Sequence, residues 1–390
     1  MKTQILTLAL LMALSSCATN DNSDGSFDGS TNARLDGSTD GSLETVSMGG
    51  YELAFIKEGN TPPYLNQSEI WVIQLGGEPK RAYYTEYGRR IGSLAKLPGE
   101  DALLAWIYRF LTDGEGDIGR LYRLDYDGTL TALSEEHKGS YATIDATDAD
   151  HIAVTGSYDS FALIKGVEHK IAVSGNNDLF FDQAKKYIYS MRGGGNDNHG
   201  IVRFAVDALP AGDWENWELV QQVDVATMEG EILGDIHLCR EGGLIAFFVK
   251  RTVNVDTPHT DVYLKKPGQP AERLGGKSGV DDRFPILSPD CSKVVWSAID
   301  QSGDGSRMPW RSLQDGGLSG TIDAEPRSWL FERGASTGEG FSDDGKSMLF
   351  HSGNLSTGTY LGHYDFTTSQ LTKVVVTDDD WYYHDPVWLH

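Results

Sequence analysis

The chain has 390 residues and a formal net charge of −24, with 57 acidic side chains against 33 Lys and Arg. That balance excludes a nucleic-acid partner, because phosphate binding needs clustered cations. Its 45 glycines, 9 tryptophans and 17 tyrosines, with helical periodicity nearly absent, point to many turns and to aromatic packing between sheets.

Met1-Lys2 places a positive charge ahead of the apolar run Ile5 to Leu14, the order of a secretory leader. The run is too short to span a bilayer. Leu14-Ser15-Ser16-Cys17 follows, and it resembles the cleavage box of bacterial lipoproteins. The resemblance implies removal of residues 1–16 and lipidation of Cys17; the alternative is an ordinary secretory signal in which Cys17 is incidental. Ala18 and Thr19 imply, by the same analogy, an anchor in the outer membrane, facing the periplasm or the surface. Residues 17–45 then read as the lipidated cysteine and a flexible tether, with Asp-Gly-Ser recurring at Asp24, Asp28, Asp36 and Asp40. Such a composition buries too little surface to offset its ordering entropy. The Asp-Gly spacing lacks the alternating ligands and closing Glu of a calcium hand.

Residues 46–390 form one domain of repeated hairpins. YELAFIKEG begins at Tyr51, AKLPGEDALLAWI at Ala95, DATDADHIAVTG at Asp145 and FFDQAKKYIYS at Phe180. HLCREGGLIAFF follows at His237, ILSPDCSKVVWSA at Ile286 and GFSDDGKSMLFHS at Gly340. Pro289 pre-sets the turn in the sixth copy, and Ser288 and Asp290 replace the strand ladder there. The apolar triplets begin at Leu53, Leu104, Ile152, Tyr187, Ile245, Val294 and Met348, a loose but sustained period. Most copies continue with a strand such as EIWVIQL (Glu69 to Leu75) or RLYRLDY (Arg120 to Tyr126), a Gly turn and a short outer strand. Four strands per unit, seven times over, predict an all-β chain folded as a seven-bladed β-propeller of antiparallel sheets. Six or eight blades stay open, because the third unit is short and the fourth carries an irregular insert at Asp207 to Trp217.

These residues resemble the TolB-type propeller repeat, which runs roughly W-S-P-D-G-K-x-I-A-F, then E-I-Y-V-M-D-x-D-G. The match is carried by the Pro289, Asp344 and Leu75–Gly77 units and covers Met48 to His390, without the α/β domain that precedes the propeller in TolB. The terminal HDPVWLH, His384 to His390, reads as the first strand of a unit, and its pairing beside Tyr51 to Lys57 closes the first blade and leaves no open edge.

Cys239 and Cys291 fall in the first hairpins of consecutive units and on the same rim. They are read either as a disulfide, suited to an oxidising compartment, or as two buried thiols. No zinc pattern is present.

By the resemblance, the loops between second and third strands share the face that carries ligands. Lys57, Arg109, Arg192, Lys250, Arg251 and His351 follow the second strands, and Arg89, Arg90, Arg283, His384 and Asp385 lie at the connections between units. Cations gathered there suit a carboxylate ligand; the competing reading is a ring of internal ion pairs. Propellers of this type include uronide lyases, in which mouth histidines hold a divalent metal. Under that reading His351, His384 and Arg109 are the catalytic candidates, among scattered His199, His237 and His363. Gly275-Gly276-Lys277-Ser278 lacks the earlier glycine and the helix of a phosphate loop and reads as a turn. Asp113 to Asp117 reads as a solvated turn rather than a calcium loop. The leading expectation is a lipid-anchored, non-enzymatic scaffold without cofactor that binds an envelope protein or glycan. A lyase is the alternative, and a sensor of small anions is a third reading.

Overall fold

The turns are capped by their own side chains. In the computed structural model Ser288 Oγ accepts hydrogen bonds from the Ser292 and Lys293 amides at 3.1 and 2.9 Å, and Asp290 accepts from Ser292 at 3.0 Å. Cys291 takes the left-handed position, with φ +56°. The turn recurs at Ser342, which accepts from Ser347 at 3.0 Å, and at Asp344, which accepts from Lys346 at 3.1 Å, with Gly345 left-handed. Local acceptors of this kind end the ladder and reverse the chain. The structure describes residues 45–59, 67–86, 88–111, 116–156, 158–171, 179–192, 200–209, 218–222, 232–241, 243–251, 259–275, 279–300, 306–314, 316–323, 340–354, 358–376 and 381–390.

Seven antiparallel strand groups follow in chain order among the described residues. Sheet one holds Leu53–Gly59, Ser68–Ile73 and Lys80–Tyr84, with the C-terminal strand Trp381–Trp388 paired to the first of these, Leu53 opposite Trp388. Sheet two is Arg89–Lys96, Ala102–Phe110, Asp117–Asp125 and Leu130–Ala132, with His137–Lys138 added to its third strand. Sheet three is Ala142–Asp148, His151–Gly156, Ser160–Ile164 and Val167–Ile171; sheet four is Phe180–Phe181, Tyr187–Arg192, Gly200–Ala205 and Glu218–Gln222. Sheet five, Ile232–Cys239, Leu244–Arg251, His259–Lys265 and Glu272–Arg273, touches sheet six through one parallel pair, Thr260 with Asp281. Sheet six is Val280–Leu287, Lys293–Asp300, Ser306–Ser312 and Ser319–Ile322.

In the seventh group the described residues supply three of the expected four strands, and residues 324–339 lie outside them. It has Ser347–Asn354, Gly358–Asp365 and Gln370–Val376, and on the remaining side one bridge from Phe341 to Met348. Sheet four has a leading strand of only two residues, where the repeat predicts a full one. The leader and tether, residues 1–44, and the insert at residues 210–217 lie outside the described residues.

Second strands are apolar without alternation. The first seven residues of Ala102–Phe110 are all buried, the pattern of a strand covered on both faces. The covers are the neighbouring sheets. Ala54, Ile56 and Ile70 of sheet one pack with Leu94, Leu103 and Leu124 of sheet two. Trp106 and Leu121 meet Ile144 and Phe161, and Ala153 and Ala162 meet Ile188 and Phe204. Met191 and Ile201 meet Ile236 and Phe247, and Ala246 and Val262 meet Leu287 and Val294. Val295 and Trp310 meet Phe350 and Tyr364, and Leu349 and Leu361 meet Leu53, Phe55 and Trp388. The last cluster thus joins sheet seven to sheet one. Full burial of one such large side chain contributes about 1.5–3 kcal/mol.

Glycine lets a large ring lie flat where sheets are this close. A Cβ on Gly119 would stand 2.3 Å from Trp106, and one on Gly362 would stand 2.4 Å from Phe350.

Candidate functional site

One extra residue recurs in four leading strands. The register slips between Ile91 and Ser93, Gly234 and Ile236, Arg283 and Ile286, and His384 and Val387. Phe284 and Asp385 take left-handed φ values of 51° and 45° at these bulges, and a proline follows each, where no ladder amide is needed. A bulge bends its strand and re-aims the side chains next to it. Arg90, Arg283 and His384 all lie just before the bend, at the sheet ends where second strands finish, called here the loop rim.

Around the first of these bends a charged network is built from three distant parts of the chain. Glu58, 3% exposed, closes Leu53–Gly59. Arg90 reaches its carboxylate at 2.6 Å, and His384 Nε2 lies 3.5 Å from it. The other ring nitrogen of His384 is 3.6 Å from Asp385. Burial pushes the His384 imidazolium down, but the carboxylates of Asp385 and Glu58 outweigh it and raise the pKa to about 9. Tyr108 beside them is pushed up to about 12 by burial and then by the Glu58 charge, against Arg90. The network sets two carboxyl groups against a guanidinium and an imidazole that keeps its proton to about pH 9.

The other candidates are engaged in the same way. Lys57 Nζ stands 4.5 Å over the Trp71 ring, Arg109 pairs with Glu136 at 3.4 Å, and Arg283 pairs with Asp281 at 2.9 Å. Asp282 accepts from Trp296 Nε1 at 3.0 Å. Lys250 is exposed at the end of its strand, and His351 is half-buried in Ser347–Asn354. The side chains of Arg192 and Arg251, together with His199, Cys17, the 112–115 turn and residues 276–278, lie outside the described residues. Lys57, Arg90, Arg109 and Arg283 are thus engaged by carboxylates and rings of the chain itself. Opposite charges at strand ends meet before any ligand does.

Among the described residues the histidines do not converge. His237 accepts from the Leu287 amide at 3.2 Å, and His363 lies edge-on to Trp388 at 5.7 Å, its pKa lowered by burial. Among the described residues no three His, Cys, Asp or Glu side chains gather as a metal site.

Glu58 is the hub that sequence reading passed over. Its only local signal is a carboxylate directly after Lys57 at a strand end. A second network was equally hidden. Asp145 of sheet three, 2% exposed, accepts from the Phe181 amide of sheet four at 3.0 Å and from the Arg240 guanidinium of sheet five. Cys239 and Cys291, one rim away from Glu58, are joined as a disulfide between sheets five and six, with Cα atoms 5.6 Å apart.

No protein-family model and no curated relative matches the chain. Among solved structures, prolyl oligopeptidase B from Galerina marginata bound to a macrocyclization substrate superposes at TM-score 0.52 and 11% identity, over 81% of this chain and 48% of that one. Oligopeptidase B from Trypanosoma brucei with covalently bound antipain gives TM-score 0.51 and 10% identity, over 82% and 49%. The chain has a β-propeller fold. It spans about half the length of either peptidase. TolB from Acinetobacter baumannii is similar at TM-score 0.48 and 12% identity, over 87% of this chain and 66% of that one. No helix among the described residues is long and apolar enough to cross a membrane.

Proposed function

We propose that the seven sheets close into a seven-bladed propeller that serves as a non-enzymatic binding or scaffolding module of the bacterial envelope. It is held at the outer membrane by a lipid on Cys17 and presents its loop rim to a partner. Closure is supported by the chain of core clusters, which runs from sheet one through sheet seven and back to sheet one. Ion pairs that skip a sheet fit the same ring: Asp145 with Arg240, and Lys96 with Asp343 at 2.8 Å.

The observation that carries the module reading is the internally paired Glu58–Arg90–His384–Asp385 network. A base for abstracting a proton next to a carboxylate works best with a pKa near the operating pH. His384, held protonated to about pH 9, is poorly suited to that role and well suited to fastening strands. The test is incubation of the protein with acidic oligosaccharides, with and without divalent metal, while following unsaturated products in the ultraviolet. No turnover is expected; metal-dependent product formation refutes the module. Mass spectrometry of the N-terminal peptide, with membrane fractionation of Cys17→Ser, tests the anchor. A soluble wild-type chain bearing no lipid refutes that part alone.

A further inference from the structure

A cleft of about 490 Å³ opens where the edge strand of sheet six, Ser319–Ile322, faces the turn after Gly358–Asp365 of sheet seven. That volume is ordinary for a small-ligand site. The turn sits at the far end of its strand from Gly358, which pairs with Asn354, so this end of the cleft lies away from the loop rim. Three buried rings make its floor: Trp310, Tyr364 and Phe366. Phe366 meets Trp310 edge to face at 5.3 Å and Tyr364 at 5.0 Å, and Phe341 stacks on it at 5.5 Å. Trp310 lies over Gly320, its partner in the strand pair, where an added Cβ would stand 2.7 Å from the indole Nε1. That nitrogen, on a residue 7% exposed, finds no acceptor among the described residues.

The lining is polar without being basic. Asp323 and the hydroxyl residues Ser319, Thr321 and Ser369 line it around the rings, with Leu318, 77% exposed, beside them. No Lys, Arg or His is among the described residues that line it. Of the cations next to these residues, Arg311 pairs with Glu272 at 2.9 Å, and Lys293, 5.6 Å over the Phe366 ring, donates to Ser292 Oγ at 3.1 Å. A carboxylate ligand would therefore meet Asp323 with no cation in the lining to offset it. An organic cation favours aromatic rings set apart as a cage, whereas these rings touch. A sugar ring matches both parts: its apolar C–H face lies on an aromatic floor, and its hydroxyls donate to a carboxylate, a stronger acceptor than a neutral oxygen. A buried indole N–H ordinarily has a partner, which again favours a ligand rich in oxygen. We infer that this cleft binds a neutral saccharide unit, with Trp310 and Phe366 beneath the sugar and Asp323 accepting from its hydroxyls. The inference goes beyond the module reading and does not depend on it.

The test titrates the full chain with neutral hexoses, their N-acetylamino counterparts and short neutral oligosaccharides, each hexose beside its uronic acid, and follows tryptophan emission and binding heat. At least one neutral sugar is expected to bind and shift the emission, and its uronate to bind about tenfold more weakly or worse, because like charges meet at Asp323. Asp323→Ala is expected to weaken the neutral sugar about tenfold or more, and Asp323→Asn to remove the discrimination against the uronate. Trp310→Phe should abolish most of the emission shift. Val167→Ala, at an exposed apolar position in sheet three, should bind as wild type. Melting curves confirm that the variants fold; Asp323 is exposed, so its two variants carry the test even where Trp310→Phe does not fold. No binding of any neutral sugar, equal binding of the uronate, or wild-type affinity in Asp323→Ala overturns the inference. Preference for tetramethylammonium or for an apolar peptide over every sugar overturns it as well. None of these outcomes bears on the loop rim, whose own test is turnover of acidic oligosaccharides.

Discussion

Replacing His384 with Gln tests whether the rim network fastens the C-terminal strand. The imidazole titrates near 9 in the folded chain, against an ordinary value near 6.5. A pKa raised on folding stabilises the state that binds the proton, so the contribution is complete below about pH 6.5 and disappears as pH rises through 9. A shift of that size corresponds to about 3 kcal/mol. Urea unfolding of wild type and His384→Gln at pH 6, 7.5, 9 and 10 reads it directly. The wild-type advantage should be largest at pH 6, about half gone by pH 8, and nearly absent at pH 10. Tyr83, Tyr108 and Tyr126, each raised from 10 to about 12, begin to cost stability near pH 10 in both chains, so the difference between wild type and variant isolates His384. Parallel stability curves across the four pH values would refute the reasoning, since Glu58 and Asp385 would then place no demand on the charge of His384.

Asp145→Ala leaves Arg240 facing a vacated site among three sheets and should cost about 3–5 kcal/mol; a double-mutant cycle with Arg240→Met should recover part of it, and strict additivity would break the pairing. Gly119→Ala drives a methyl into Trp106 and should cost about 1–3 kcal/mol with a shift in tryptophan emission. Reducing the Cys239–Cys291 bond, which closes a loop of 52 residues, should lower stability by about 4 kcal/mol on the chain-entropy estimate, measured as the loss of urea midpoint on adding reductant. Acidification towards pH 2 should weaken the turn at Asp344, whose carboxyl is held near 2 by hydrogen bonds from Lys346 and Ser342. Its stabilisation is present above the ordinary carboxyl range and is lost as pH falls through 2, and chemical shifts of the Lys346 amide report it.

The hairpins were legible because their causes are local. Ser288, Pro289 and Asp290 sit within three residues of one another, and the apolar triplet that follows each turn marks the buried second strand. The strand order of sheet one was legible for a related reason, since His384 to His390 reads as a leading strand without followers. What sequence did not display are the encounters between residues far apart along the chain. Glu58, Arg90 and His384 meet only after three strands are in register. Asp145 and Arg240 lie 95 positions apart and meet only in the folded chain. The bulges were half-visible: Pro285 and Pro386 mark two of them, but Gly92 and Asp235 carry no signal that separates a bend from an ordinary strand residue. Sequence displays the rim cations without their partners, and so left the ligand and ion-pair readings side by side.

The pairing of Trp381–Trp388 with Leu53–Gly59 also fixes the timing of biogenesis. During translation the strand Leu53–Gly59 emerges with one flank uncovered and waits for more than three hundred further residues before its neighbour Trp381–Trp388 leaves the ribosome. A nascent or prematurely terminated chain therefore offers that bare flank to whatever chaperone, protease or sister polypeptide reaches it first. Quality control of this protein is written into its final eight-residue strand.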